Sequence, residues 1–416
     1  MNSVINKIFP YLIIFIPISL ISGPLIPEIL MFLGITIFLQ KTFISKNYSY
    51  FKNKYTYFFL FFFFFINLRS LFTEDIMLSI KSSLFYFRFY LLSLTVWYLL
   101  NNYEDFPKKF LKLFLISLFI LILDSIIQFK FSTNILGWEK IHSDRISSFF
   151  GDELVLGSYL IRFLPLIVGL YIYINFEKFN FLKTLYLFII IFMFYCGISI
   201  SGDRTAFYLS LIFLPFLFKL RSIKYLRKKI YLLGFSFLII ISGLILSDAS
   251  LKKRLFESTY KSMVSHYNKD KSPIKVVIFS HTHESHLKAS IKIFQDNKFF
   301  GIGIKQFRNI CKEDKYFIDK WSCANHPHNT YAQVLTELGL FGFSFLIIYL
   351  FYVILRIHKI IVMEKISPEI MLNYMILSLI FINLFPFSPS GNFFNNWLNI
   401  IYFFPLGFYF YSREKI

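Results

Sequence analysis

The residues best suited to chemistry gather in "NHPHNTYAQVLTELGLFG" (325–342), where His326, His328 and Asn329 stand directly before an apolar run. An imidazole can take a proton from a hydroxyl near neutral pH, or ligate a metal. Pro327 disfavours helix at His326, so a helix is expected to begin near His328 or Asn329, with Asn329 or a neighbour as its cap. His328 then sits at the positive end of a helix, where an anionic substrate is favoured. Glu337 falls about half a turn off the same face, which suits a structural or orienting carboxylate. A second group, His281, His283 and His286 in "SHTHESHLKAS", could join His326 and His328 around zinc. It lacks the His-Glu-x-x-His spacing, and only His283 and His286 share a helical face. A solvated amphipathic stretch on the bilayer is the plainer expectation, and no bound metal is expected.

These groups must be positioned by membrane helices. The chain has 416 residues, 56% hydrophobic and 21% aromatic, and its apolar residues fall in blocks long enough to span a bilayer. Twelve spans are expected, at 8–22, 25–40, 55–72, 82–100, 110–128, 154–175, 181–198, 203–220, 230–248, 331–355, 369–387 and 394–411. The first runs straight into the second without a persuasive cleavage site, so it is read as an anchor rather than a signal peptide. The fold class is therefore an all-α polytopic integral membrane protein, divided into spans one to nine (1–248), one long loop (249–330) and spans ten to twelve (331–416).

Lys and Arg set the orientation. With the N-terminus inside, the cytoplasmic segments hold 21 of them, against about six in the short loops opposite. Both termini are then cytoplasmic and the long loop is periplasmic. Most of the net charge of +20 thus serves topology, and no nucleic-acid motif stands out. The outer loop nonetheless holds 15 Lys and Arg against 7 Asp and Glu, which favours an anionic partner. Cys311 and Cys323 lie in it 12 residues apart and could close a disulfide in an oxidising compartment, or be two unrelated thiols. Inside the spans Arg88, Asp124 and Arg162 are costly in hydrocarbon and should face protein or water. Arg88 and Asp124 are expected to pair, and Arg162 to lie near the outer side.

The stretch "HPHNTYAQVLTELGLFGF" resembles the signature of the O-antigen ligase and O-antigen polymerase superfamily. Three further elements follow the same order: "RISSFFGDELVLGSYL" (145–160) with Arg145, "SGDRTAFYLSL" (201–211) with Arg204, and "FFGIGIKQFRNIC" (299–311) with Gly301 and Gly303. The resemblance covers roughly residues 145–345, and the twelve-span layout with its long loop between spans nine and ten is similar too.

The resemblance implies a GT-C-like glycosyltransferase of the bacterial inner membrane. It would move a glycan from a polyprenyl diphosphate to an acceptor hydroxyl, either on lipid A core (ligase) or on another lipid-linked glycan (polymerase); the ligase-type reading is slightly preferred. Such a reaction needs a base and a fixed cation, and no cofactor. By position His328 would be the base and Arg204 the diphosphate clamp, with Arg145, Arg162, His326 and Asn329 around the substrate. Members often carry a second Arg about 18 residues before the Gly-x-Gly element. Here that place falls on His283, so His283, or else Lys288, Lys292 or Arg308, would supply the second cation. A transporter or flippase is the competing class, but the chain shows no internal repeat.

Overall fold

A computed structural model describes residues 2–227, 229, 231, 234, 241–243, 245, 246, 248–264, 277 and 280–416. The chain is helical, with no strand among the described residues. In chain order the helices are α1 (Asn2–Ser19), α2 (Leu25–Ile44), α3 (Lys54–Ser70), α4 (Ile76–Ser83), α5 (Phe87–Asn102), α6 (Phe106–Phe131), α7 (Leu156–Asn175), α8 (Phe181–Ile200) and α9 (Arg204–Leu217). The long segment after α9 contributes α10 (Ala249–Lys252), a π-helical turn (Lys253–Glu257), α11 (Ser258–Val264), α12 (His281–Asp296) and α13 (Phe307–Ile310). The chain closes with α14 (Thr330–Ile361), α15 (Pro368–Asn383) and α16 (Asn396–Glu414).

Among the described residues eight helical segments are long and apolar enough to cross a membrane, which makes this a multi-pass membrane protein. Helices also occupy the expected spans at α3, α15 and α16; the expected ninth span, 230–248, lies largely outside the described residues. The burial pattern is that of a bundle dissolved in lipid. From Leu156 to Ile172, α7 is buried at every position but Ser158, and α15 is buried continuously from Met371 to Ile380. Around them, α2, α3 and α14 present Phe32, Phe43, Phe64 and Leu355 outward. Apolar surface facing hydrocarbon carries no penalty, so such helices need no polar face.

Two expectations fail. The expected tenth span is not one continuous helix: Gly339 has φ +64 and breaks α14. The freed backbone groups are taken up by residues 298–303. Leu340 and Phe341 N–H donate to the Lys298 and Phe299 carbonyls (2.8 and 3.1 Å), while Thr336 and Glu337 carbonyls accept from Ile302 and Gly303 (3.1 and 2.7 Å). Broken helix is tolerated where neighbouring protein re-satisfies it, as here. Gly301 also has positive φ, and a Cβ there would meet the Glu337–Leu338 peptide at 2.5 Å. Arg69 clamps the inserted segment through the Phe300 and Gly301 carbonyls (3.0 and 2.6 Å). Nor do Arg88 and Asp124 pair. Arg88 forks onto Glu28 of α2 (3.1 and 3.2 Å), and Asp124 accepts from Ile135 N–H (2.8 Å) and the Ser148 hydroxyl (2.5 Å). Each finds a partner at its own depth, which hydropathy does not report.

Candidate active site

The histidine turn sits where the long loop re-enters the bundle. Asn329 caps α14: its Oδ1 accepts from Tyr331 and Ala332 N–H, both at 3.0 Å. Its Nδ2 donates to the Pro386 and Ser388 carbonyls (2.9 and 3.3 Å). Expected near the substrate, the amide is thus engaged four times by the protein itself. The carbonyls belong to residues 384–395, between α15 and α16, which strap the turn from one side. Ser390 N–H donates to the His328 carbonyl (2.8 Å), His326 Nε2–H to the Ser390 carbonyl (3.2 Å), and Thr330 Oγ1–H to Ser390 Oγ (2.9 Å). Further along, Gln333 accepts from Phe393 N–H (2.8 Å) and donates to Asn392 and Glu337. The helix thus begins one or two residues later than expected: His328 precedes the cap and holds φ +54, a left-handed conformation that the strap stabilises.

Helix α12 closes the other side. Ser280 caps it, Ala289 and Ile293 are fully buried, and Thr336 of α14 donates to the Ser290 carbonyl (3.3 Å). This packing brings four imidazoles together: the ring centre of His328 lies 4.1 Å from that of His326, 5.2 Å from His286 and 6.0 Å from His283. His286 Nδ1–H donates to the Ser322 carbonyl (3.3 Å), and His283 Nδ1 shares a hydrogen bond with Ser280 Oγ (2.7 Å). Burial, with mutual repulsion added, pulls His326 down to about 3 and His283 to about 4. Burial and the adjacent His286 lower His328 as well. All are therefore neutral at pH 7. The ring of His328 has no hydrogen-bond partner among the described residues, and it borders a pocket of about 450 Å³ with Arg308, Asn309, Lys312 and Asn325. Among the described residues no group of His, Cys, Asp and Glu is arranged to hold a metal ion.

A cationic group adjoins the histidines. Arg204 opens α9 behind its Asp203 cap and donates through Nη1 to the Ser258 carbonyl (3.3 Å) and Ser262 Oγ (3.0 Å). After burial, His328 and His286, its charge is a further cause of the lowered His283 pKa. Arg145 donates to the Leu154 carbonyl (2.8 Å), and burial lowers its pKa within reach of Asp203, Arg254 and Asp144. Gly202 makes this juxtaposition possible: with φ +66, its position leaves 2.2 Å between an ideal Cβ and the Asp144 carbonyl, so only glycine fits.

The remaining expected residues are more scattered. Arg162, buried in α7, donates to the Ser158 carbonyl of its own helix (3.0 Å). Arg308 lies in the pocket and reaches the Asn325 carbonyl (3.4 Å). Lys288 pairs with Glu284 (2.8 Å). Glu337 is fully buried beneath the turn, hydrogen-bonded to Gln333 (3.0 Å). Cys311 and Cys323 are joined as a disulfide with Cα atoms 5.4 Å apart, tying α13 to the chain leading into the histidine turn. Sequence reasoning missed the strap at 384–395 and Arg254. The Pro- and Gly-containing run "FPFSPSGN" was the one available signal for the first; nothing local signals the second.

Compared with curated proteins, the chain finds no match. Residues 186–347 match the family model described as O-antigen ligase, a span that includes Arg204, α12, Gly301, Gly303 and the whole histidine turn. Over that segment the chain is similar to the O-antigen ligase family.

Proposed function

We propose that the protein transfers a glycan from a polyprenyl diphosphate to an acceptor hydroxyl at the periplasmic face of a bacterial inner membrane. His328 is the general base and Arg204 a diphosphate clamp. The observation that carries this reading is the ring of His328, without a hydrogen-bond partner among the described residues, 6.0 Å from the ring of His283, with Arg204 anchored on Ser258 and Ser262 at the start of α9. In the step itself the acceptor oxygen attacks the anomeric carbon as its proton passes to a ring nitrogen of His328. The bond from that carbon to the diphosphate oxygen breaks, and Arg204 stabilises the charge that collects on the leaving diphosphate. A planar fork that never loses its charge suits two phosphate oxygens. The chemistry asks for no metal. The ligase-type acceptor, lipid A core, is preferred on the motif, with another lipid-linked glycan as the polymerase alternative. In this reading the GT-C-like bundle has twelve spans, and both termini are cytoplasmic.

Purified protein, lipid-linked donor and acceptor test the assignment. His328→Ala should lower transfer about 100- to 10,000-fold, and Arg204→Ala about 100- to 1,000-fold. Arg204→Lys should rescue poorly. Near-normal transfer by well-folded His328→Ala would remove the base.

A further inference from the structure

We infer that Arg254, on the π-helical turn between α10 and α11, is a second cation of the diphosphate site and binds beside Arg204. The inference rests on the transferase reading and deepens it by naming a residue the substrate would touch. A diphosphate ester carries more than one negative charge, and its departure from the sugar adds another. One guanidinium leaves that charge under-compensated in a partly buried mouth. His283 does not make up the difference, because burial keeps its ring neutral. Lys288 is already paired with Glu284, and Arg308 lies beyond His326 at the Asn325 carbonyl.

Arg254 stands next to Arg204 by construction. Arg254 Nε donates to the Gly202 carbonyl, two residues before Arg204, at 3.2 Å. Arg204 Nη1 donates to the Ser258 carbonyl, four residues after Arg254, at 3.3 Å. These reciprocal bonds cross the two segments and hold two like charges together, at a cost that needs a reason. Asp144 offsets part of it through Arg254 Nη1 (3.2 Å). The offset is incomplete: Arg145, Arg204 and Arg254 face Asp144 and Asp203, which leaves one positive charge over, and Asp203 also accepts from Ala206 N–H as the cap of α9. Donors remain open as well. Among the described residues Arg254 Nη2 and Arg204 Nε and Nη2 have no hydrogen-bond partner. Arg145 Nε is buried and likewise unpartnered. Open guanidinium donors on two adjoining, anchored forks are what a bidentate phosphate ligand requires. The π-helical turn supports this, since such turns are often found at functional sites.

The test measures binding of inorganic pyrophosphate to the full chain in lipid nanodiscs, with sulfate at equal ionic strength as control, alongside transfer from lipid-linked donor. Arg254→Gln should weaken pyrophosphate about 10- to 100-fold, the factor for one charge-assisted donor, and raise the donor KM by a similar factor. Arg254→Lys should recover only part. Asp144→Asn separates ligand binding from structure: it removes the ion pair but leaves the charge, so pyrophosphate binding should hold or tighten. Two results would overturn the inference while leaving the transferase reading standing: Arg254→Gln binding pyrophosphate as the unmodified protein does while Arg204→Gln loses it, or Asp144→Asn losing as much as Arg254→Gln. Failure of the unmodified protein to bind pyrophosphate or transfer glycan would instead bring down the reading beneath it, and the inference with it.

Discussion

Asn329 joins three elements through one amide, and removing it should loosen the strap before it unfolds the bundle. Asn329→Ala deletes the cap of α14, worth about 1 kcal/mol. It also deletes two donors to the Pro386 and Ser388 carbonyls, worth about 1 kcal/mol each. These bonds share one side chain and are not independent, so about 2 to 3 kcal/mol is the expected total. The loss falls on local opening of residues 384–395, whose Ser390 and Phe393 amides are bonded to His328 and Gln333. At about 1.4 kcal/mol per tenfold, hydrogen exchange in that segment should speed up about 30- to 150-fold while α7 and α15 keep their protection. Asn329→Ser keeps a cap acceptor and loses both donors, so it should show an intermediate increase. Mass spectrometry of peptides spanning 384–395 reads this directly, and transfer activity should fall in step as His328 leaves its left-handed conformation. Unchanged exchange in Asn329→Ala, with activity preserved, would show that the strap is held otherwise and that the geometry argued for His328 does not depend on it.

Two other outcomes can be measured. Because His326 and His283 are depressed to about 3 and about 4 in the folded protein, against about 6.5 unfolded, the unfolded chain binds more protons in between. Their share of stability is therefore complete above about pH 6.5 and is lost as pH falls toward 4 and then 3; unfolding midpoints across that range should show the slope, and His326→Gln with His283→Gln should flatten it. For orientation, a cysteine at Lys320, in the outer loop, should react with an impermeant thiol reagent in spheroplasts with intact inner membranes, whereas one at Lys224 should react only after lysis. The opposite pattern would place the histidines on the cytoplasmic side and exclude a periplasmic acceptor.

What could be read from the residues follows the reach of local rules. Pro327 and Asn329 act within a few positions, so the turn and its cap were legible, while the charge bias of short loops gives an orientation that the labelling above tests. Hydropathy reads through a break such as Gly339, because it scores side chains while the break lies in a backbone angle. The compensating groups at 298–303 come some forty residues earlier. In retrospect the Gly-x-Gly element and the glycine after Glu337 belong to one feature: each positive-φ glycine allows the other's backbone to approach. The strap at 384–395 was hidden for a related reason. Its hold on His326, His328 and Asn329 runs mostly through carbonyls and N–H groups about sixty residues away, and those groups have no sequence identity. Arg254 was hidden by abundance, one of 15 Lys and Arg in the long loop. What singles it out is not its type but two carbonyls, Gly202 and Ser258, that cross it with Arg204. In this chain the proposed base is therefore announced by side chains, whereas the contacts that hold its turn and cross Arg254 with Arg204 are written largely in backbone carbonyls and N–H groups.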